Sequence, residues 1–204
     1  RRAYPLVARA MSSRPERLAF ARAVGFSVLV TCPCPQVAPS EPGVQRWIQR
    51  QSVPDGMRLI AATEVSDDAL TNTWTTQYEW MHASWSPITS RQAVAAAFVE
   101  ESLPGLDRSH SVLAVDGPDI VAAGFVSLDV WDGRNFAIIE TTRATHPAGG
   151  QLVGAVAAAV LQRLAGAGVE LIEFEGRDSD AHNSVLTSIP RVGADPLTIV
   201  THAP

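Results

Sequence analysis

The stretch from residue 136 to residue 204 constrains the fold most, because it contains a strand, a loop and a long apolar helix in direct succession. Residues 136–142 have the branched and aromatic composition of a strand, and a glycine-containing loop follows at 143–150. The alanine-rich stretch 152–165 predicts a buried helix, and 169–175 and 197–202 predict two further strands. The free N–H groups and the dipole at a helix start attract anions. The loop is therefore the place where the sequence predicts an anion site, such as one for a pyrophosphate.

The segment upstream, from Gly56 onward, completes the sheet. Residues 57–63 predict a strand, Ser66 is a helix N-cap for a helix to about residue 82, and Thr89 or Ser90 caps a second helix at 91–102. Strands follow at 110–115 and 120–130, with a hairpin turn at Asp132-Gly133 before strand 136–142. A short helix is predicted at 184–192. The order predicts an α+β fold, with a mixed, mostly antiparallel sheet flanked by helices.

The two ends of the chain share a pattern. Residues 1–24 predict a helix that Gly25 ends, and a strand follows at 27–31; near the C-terminus a helix, Gly193 and strand 197–201 follow in the same order. This predicts an internal repeat, although a helix, a glycine and a strand also follow one another by chance. We expect three parts: residues 1–33 as the end of a first unit, 34–55 as a proline-rich surface linker held by Trp47, and 56–204 as a complete unit.

Composition excludes several classes of protein. No apolar run reaches the roughly 18–20 residues that span a bilayer, and the net charge of −5 argues against a nucleic-acid groove. Cys32 and Cys34 lack the second Cys/His pair of a zinc site, so we expect no metal. The chain begins with Arg-Arg, without Met or a signal peptide. We therefore expect a cytoplasmic protein whose chain begins within a larger reading frame.

This order of elements resembles the GCN5-related N-acetyltransferase (GNAT) superfamily, and more narrowly its actinobacterial tandem-domain members. Four stretches carry the resemblance over residues 56–204: 119–130, 140–143, 147–160 and 178–194. Residues 1–33 resemble the last helix and strand of a preceding copy. The resemblance implies acetyl-CoA as acyl donor, a small-molecule amine as acceptor, and pairing with another GNAT-like copy or as a homodimer.

The family's donor loop reads Arg/Gln-x-x-Gly-x-Gly/Ala, and these positions fall on Ala148, Gln151 and Val153, which all depart from it. Gln151 offers a side-chain donor as a partial substitute. The family's tyrosine general acid has no counterpart near Ile189. The residues that the resemblance assigns to the acyl donor are Thr141, Thr142, Arg143, Gly149, Gly150, Gln151, Leu152, Val153, Gly154 and Asn183.

Direct acyl transfer to an amine needs a base, and Glu140 at the end of its strand is the best carboxylate for it; the alternative is an exposed or salt-bridged glutamate. The acceptor pocket of the family would fall on an aromatic stretch that could equally be core. Its residues are Trp74, Tyr78, Met81, His82 and Trp85.

Glu173 and Glu175 share one face of a predicted strand, which suits either a solvated face or, less readily, a carboxylate pair for acid/base work. We expect an acyl-CoA-dependent N-acyltransferase, with a degenerate, non-catalytic GNAT-like domain that binds a metabolite or supports a partner domain as the alternative. A third option keeps the fold and takes acyl groups from carrier proteins.

Overall fold

The computed structural model describes residues 6–130 and 133–202, with the side chain of residue 130 left out; Asp132 of the predicted hairpin turn lies outside this part. The strands of the described residues form two sheets. The strands are β1 Leu6–Met11, β2 Ser27–Cys32, β3 Pro35–Val37, β4 Met57–Ala61, β5 Val112–Asp116, β6 Asp119–Val130, β7 Arg134–Thr141, β8 Ile172–Glu175, β9 Gly193–Ala194 and β10 Leu197–His202. The helices are α1 Pro15–Ala23, α2 Pro42–Ile48, α3 Asp67–His82, α4 Arg91–Ala97, α5 Gly149–Gly166 and α6 Asn183–Thr187.

The main sheet has the order β4-β5-β6-β7-β8-β3-β9 and is antiparallel except between β7 and β8. Helix α5 covers one face with Leu152, Val156 and Val160, and Gly124 of β6 permits the close approach, since a Cβ there would lie 2.9 Å from Val156. Helix α3 and Phe98 cover the other face. The predicted α+β fold, a mixed sheet flanked by helices, is confirmed.

Local sequence signals place several helix starts correctly. The hydroxyl of Ser66 accepts from Ala69 N at the start of α3, and Ser90, not Thr89, caps α4. Helix α6 is shorter than predicted and ends at Thr187. The helix predicted for residues 1–24 is wrong over 6–11, where β1 pairs antiparallel with β10. Pairing over six residues overrides the local helical preference there.

A small second sheet has the order β1-β10-β2, so the C-terminal strand lies between two N-terminal ones. The reverse insertion occurs in the main sheet, where β3 lies between β8 and β9. The two ends of the chain thus exchange strands. Asp195 reinforces the connection: its carboxylate accepts from Ser12 and Ser13 and pairs with Arg134 of β7 at 3.0 Å.

Residues 34–55 contribute a strand to the main sheet and side chains to the core. They supply strand β3, and Val44 and Trp47 of α2 are buried in the core against α5. The prediction of a surface linker is therefore wrong for residues 35–37, whereas the expectation that Trp47 holds the segment is confirmed. The division of the chain into units stays a prediction. In the described residues, no helix is both long and apolar enough to cross a membrane.

Candidate functional site

Strands β7 and β8 part at the centre of the main sheet. Their parallel pairing covers Phe136 with Glu173, Ala137 with Phe174 and Ile138 with Glu175, the last described pair. Beyond it, the chain after Ile138 and the chain after Glu175 diverge. The predicted acyl-donor residues lie at this opening and at the start of α5.

Glu140, the predicted base, is buried at the opening with 2% of its surface exposed. Its Oε1 accepts from the backbone N–H of Thr141 at 2.8 Å and from Nδ1 of His182 at 2.5 Å. A carboxylate with two such partners is held in place by hydrogen bonds. Glu140 also lies outside the described wall of the nearby cavity. Its assignment as a base stays a prediction.

The backbone of residues 141–143 is already hydrogen-bonded within the protein. The carbonyl of Thr141 accepts from the indole of Trp80 at 3.2 Å, and the carbonyl of Arg143 accepts from the Thr141 hydroxyl at 2.6 Å. Thr142 N donates to Val121 O at 2.9 Å. The last of these bonds continues the β6–β7 pairing. An extended pantetheine arm pairs like an added strand, so it would have to compete for the carbonyls of Thr141 and Arg143.

The start of α5 is covered by the protein's own side chains. The helix begins at Gly149, so this residue, Gly150 and Gln151 belong to its first turn and not to a loop. The ring of His182 lies directly on Gly149, where a Cβ would come within 2.2 Å of Nε2. Gln151, the expected substitute donor, binds Ser52 O at 3.3 Å and Ser52 Oγ at 3.1 Å.

The remaining residues that were predicted to bind the acyl donor are buried in the protein. Leu152 and Val153 are fully buried in the core, and Gly154 faces the side chain of Gln51. Asn183, the first residue of α6, is buried with its amide toward Asp178 at 3.5 Å. The groups that would hold acyl-CoA thus contact other parts of the protein, and in this arrangement they do not fit an extended acyl-CoA.

A cavity of about 550 Å³ lies on the α3 side of the sheet, between α3, the loop after it and the small sheet. All five residues predicted for the acceptor pocket line it: Trp74, Tyr78, Met81, His82 and Trp85. Its size and mixed lining are typical of small-molecule sites. The five predicted residues therefore lie together at one cavity, whereas Glu140 is not part of its described wall.

Aromatic rings form one wall of the cavity. Tyr78 and His82 stack with centroids 3.6 Å apart and planes at 12°, and Trp85 follows at 4.7 Å from His82. The guanidinium of Arg177 covers the Trp85 ring at 4.8 Å. On α3, Trp74 stacks on Phe98 at 5.1 Å. These rings therefore stack on one another along the wall, with Arg177 at the end of the row.

The cavity is also lined by charged groups that the sequence analysis did not assign to it, namely Arg9, Glu101, Glu175 and Arg177. Val7 and Arg9 are two positions apart, so they lie on the same face of a strand. The sequence analysis missed this because it predicted a helix for residues 1–24. Glu173, the other member of the predicted carboxylate pair, is instead buried against Arg134 and accepts from Gln36. The interpretation of a solvated face is wrong for Glu173.

Burial and the arginines shift the pKa values at the cavity. Burial, and then the charge of Arg177, lowers the pKa of His82 to about 4, so its ring is neutral at physiological pH. Burial raises the pKa of Glu175, with Arg9 and Arg177 opposing the rise. Burial also raises the pKa of Cys32 to about 12, which leaves a protonated, unreactive thiol in the wall.

No family model matches the chain, and no curated protein sequence does. Solved structures match the fold. A GCN5-related N-acetyltransferase from Sphaerobacter thermophilus is 11% identical over 97% of this chain and 59% of its own, with a TM-score of 0.60. One from Kribbella flavida is 15% identical over 98% and 68%, with a TM-score of 0.62.

A third similar structure is a tandem GNAT protein from the clavulanic acid biosynthesis pathway. It is 14% identical over 98% of this chain and 65% of its own, with a TM-score of 0.57. The chain therefore spans about three fifths to two thirds of the length of these structures. It has a GNAT-like α+β fold, and at these identities the likeness establishes the fold alone.

Proposed function

We propose that this chain is a GNAT-fold domain that binds a small molecule in the aromatic cavity without using acyl-CoA at the start of α5. One observation carries the proposal: His182 is bonded to Glu140 at the end of β7, and its ring covers Gly149 at the start of α5. The cavity beside this opening supports a retained ligand site. Its aromatic wall, together with the polar and charged groups beside it, is compatible with such a site.

The second candidate function is acyl transfer from acetyl-CoA to a small-molecule amine. The likeness to GCN5-related N-acetyltransferases favours it, as does a cavity on the side of the sheet where that fold would admit an acceptor. In this candidate Glu140 would act as the base, and it would first have to leave His182. The hydrogen bonds of Thr141 and Gln151 stand against it.

Calorimetric titration with acetyl-CoA separates the two candidates. We expect no binding at millimolar acetyl-CoA in the parent chain. His182→Ala uncovers Gly149 and is expected to bind better than the parent, whereas Ser184→Ala, an exposed neighbour, is the matched control. Micromolar affinity in the parent, together with turnover that Glu140→Gln abolishes, would establish the acyltransferase.

A thermal-shift screen of small molecules tests the cavity itself. We expect ring-containing compounds to raise the melting temperature, since a ligand that binds only the folded state stabilises it. Ser127→Phe places a ring in the cavity from β6 and is expected to abolish every such shift. Ser40→Phe, in an exposed turn, is expected to leave the shifts unchanged. Shifts that persist in Ser127→Phe would place binding elsewhere.

The exchanged strands support a further part of the proposal, the origin of residues 1–33 in a preceding GNAT-like unit. The order β1, α1, β2, β3 repeats as β8, α6, β9, β10, and the last strand of each set inserts between the first and third elements of the other. By this correspondence β1 is equivalent to β8, whose other neighbour is β7. We therefore propose that another GNAT-like copy, in the same or a second chain, lies beside β1 at this edge of the small sheet.

A further inference from the structure

The carboxylate of Glu175 lines the cavity without a partner of its own. Among the described residues, no group donates a hydrogen bond to it and none forms an ion pair with it. In the same part of the chain, Gln77 Oε1 is the only fully buried side-chain atom that lacks a hydrogen-bond partner. The oxygens of Glu175 are therefore accessible, and a ligand in the cavity can supply the donors that a partly buried carboxylate requires.

Neighbouring groups locate this carboxylate in the cavity wall. Burial is the largest cause that raises the pKa of the Cys32 thiol and of Tyr78, and the charge of Glu175 adds to both shifts. Burial also raises the pKa of Glu175 itself, and the charges of Arg9 and Arg177 oppose that rise. A cation on a ligand would favour the ionised carboxylate as the two arginines do.

Arg177 offers unused donors beside Glu175. Its backbone N–H and its Nε donate to the two oxygens of Asp180 at 2.8 Å and 3.0 Å. Within the described residues no group accepts from its two terminal nitrogens, which are not among the fully buried unpartnered atoms either. Because terminal guanidinium nitrogens bind carboxylates well, Arg177 can hold a ligand carboxylate at the cavity.

The two groups are close together but are not bonded to each other. Glu175 ends β8, Arg177 follows two positions later, and the charge of the arginine lowers the pKa of the carboxylate. Neither is recorded in an ion pair with the other among the described contacts. One small ligand with a positive and a negative group can therefore reach both.

Another part of the wall is apolar. It belongs to the core on the α3 side of the main sheet and consists of Trp74, Phe98, Leu106 and Phe125. A cavity of about 550 Å³ is large enough for a ligand that contacts this part and the charged part together. Burial of an apolar group here would add to the affinity.

We infer that the cavity binds a free α-amino acid with an apolar side chain. Its ammonium group donates to Glu175, its carboxylate accepts from the terminal nitrogens of Arg177, and its side chain packs against the apolar part of the wall. The inference rests on the proposed small-molecule site and names the class of its ligand.

Three probes with the same phenyl group test the need for both charges by calorimetry or ligand-observed NMR: L-phenylalanine, phenethylamine and 3-phenylpropionate. The amine lacks the carboxylate, and the acid lacks the ammonium group. We expect L-phenylalanine to bind at least about tenfold more tightly than either, because only it makes both charge-assisted contacts. Equal or tighter binding of one of the singly charged probes would overturn the inference.

Glu175→Gln tests the ammonium contact with a side chain of the same shape. We expect the affinity for L-phenylalanine to fall about tenfold, to that for 3-phenylpropionate, whose own affinity does not fall. The control is Glu101→Gln, which removes an equal charge from an exposed carboxylate of the same wall that is not among the charges acting on Glu175. Equal losses in both variants would contradict the assignment of Glu175.

Arg177→Gln tests the carboxylate contact and keeps an amide donor near Asp180. We expect this variant to bind L-phenylalanine no more tightly than phenethylamine, with its fold checked by circular dichroism. Arg9→Gln is the comparison, because it removes the other arginine of the wall. Loss of the difference in Arg9→Gln alone would overturn the assignment of Arg177. If Arg177→Gln does not fold, the three probes and Glu175→Gln still decide the inference.

The outcomes also separate this inference from the proposed function. If none of the three probes binds, but other compounds bind and Ser127→Phe abolishes that binding, the ligand class is wrong and the site stands. If no compound of any charge binds, both proposals fail.

Discussion

At the scale of single residues, neutral His82 makes stability depend on pH. Its pKa of about 4 in the folded state lies below the ordinary value of about 6.5. The unfolded chain therefore binds a proton more readily, and the contribution of His82 to stability is complete above pH 6.5 and is lost as the pH falls toward 4. Between about pH 7 and pH 5 the loss amounts to up to about 2 kcal/mol.

We predict that His82→Phe removes this component. Urea denaturation at several pH values would show the free energy of unfolding of the parent falling more steeply with acidification than that of the variant. Other groups titrate in both proteins, so the difference between the two curves isolates His82. Parallel curves over this range would contradict the assignment.

The pair of Glu140 and His182 gives a second prediction at this scale. His182→Ala leaves the buried Glu140 carboxylate without its strongest donor, which we expect to cost about 2–3 kcal/mol in the free energy of unfolding. Glu140→Gln in the same background is expected to recover part of that loss, because an uncharged amide is less costly to bury. Additive losses in the double variant would show that the two side chains are not coupled.

Sequence patterns predicted the residues of the cavity better than its interactions. The aromatic stretch of α3 and the loop after it marked five residues that do line the cavity. The Glu140–His182 contact joins positions 42 apart, and Arg9 comes from the far end of the chain. Such pairs depend on how strands are ordered in the sheets, which single-sequence patterns do not encode.

At the scale of elements, we predict that β3 is a structural part of the main sheet. Val37 is fully buried in the core, and Val37→Ala is expected to destabilise the chain by about 2 kcal/mol. Val192→Ala removes the same atoms from a side chain that is 60% exposed, and its effect is expected within about 0.5 kcal/mol. Chemical denaturation of both variants measures the contrast. If both substitutions lowered the free energy of unfolding equally, residues 35–37 would be a surface linker and not a structural part of the sheet.

Long or strongly patterned elements were the predictable ones. Helices α3 and α5 and strand β10 follow from caps, apolar periodicity and branched residues. Strand β3 has three residues flanked by prolines, and Gln36 finds its partner Glu173 at a separation of 137 positions. Its identity as a strand arises only when β8 and β9 are in place, so local sequence gives no signal for it.

At the scale of the whole molecule, the exchanged strands make the two ends of the chain interdependent. Cutting between residues 55 and 56 separates β3 from β8 and β10 from β1 and β2. We predict that fragment 56–204 alone shows no cooperative thermal transition and that adding fragment 1–55 restores one. A fragment 56–204 that unfolds cooperatively by itself would instead establish it as an autonomous unit, as the sequence repeat first suggested.

The small sheet carries an apolar face that points to association. Leu6 and Phe20 are 65% and 69% exposed and Val28 is exposed as well, and strands β1 and β2, which carry Leu6 and Val28, are both at the edges of the described sheet. An edge strand beside exposed apolar side chains favours pairing with another chain. We predict concentration-dependent self-association in sedimentation experiments, weakened by Phe20→Arg. Val192→Arg adds the same charge at an exposed valine outside this face, so equal weakening by both variants would attribute the effect to net charge and not to a docking surface.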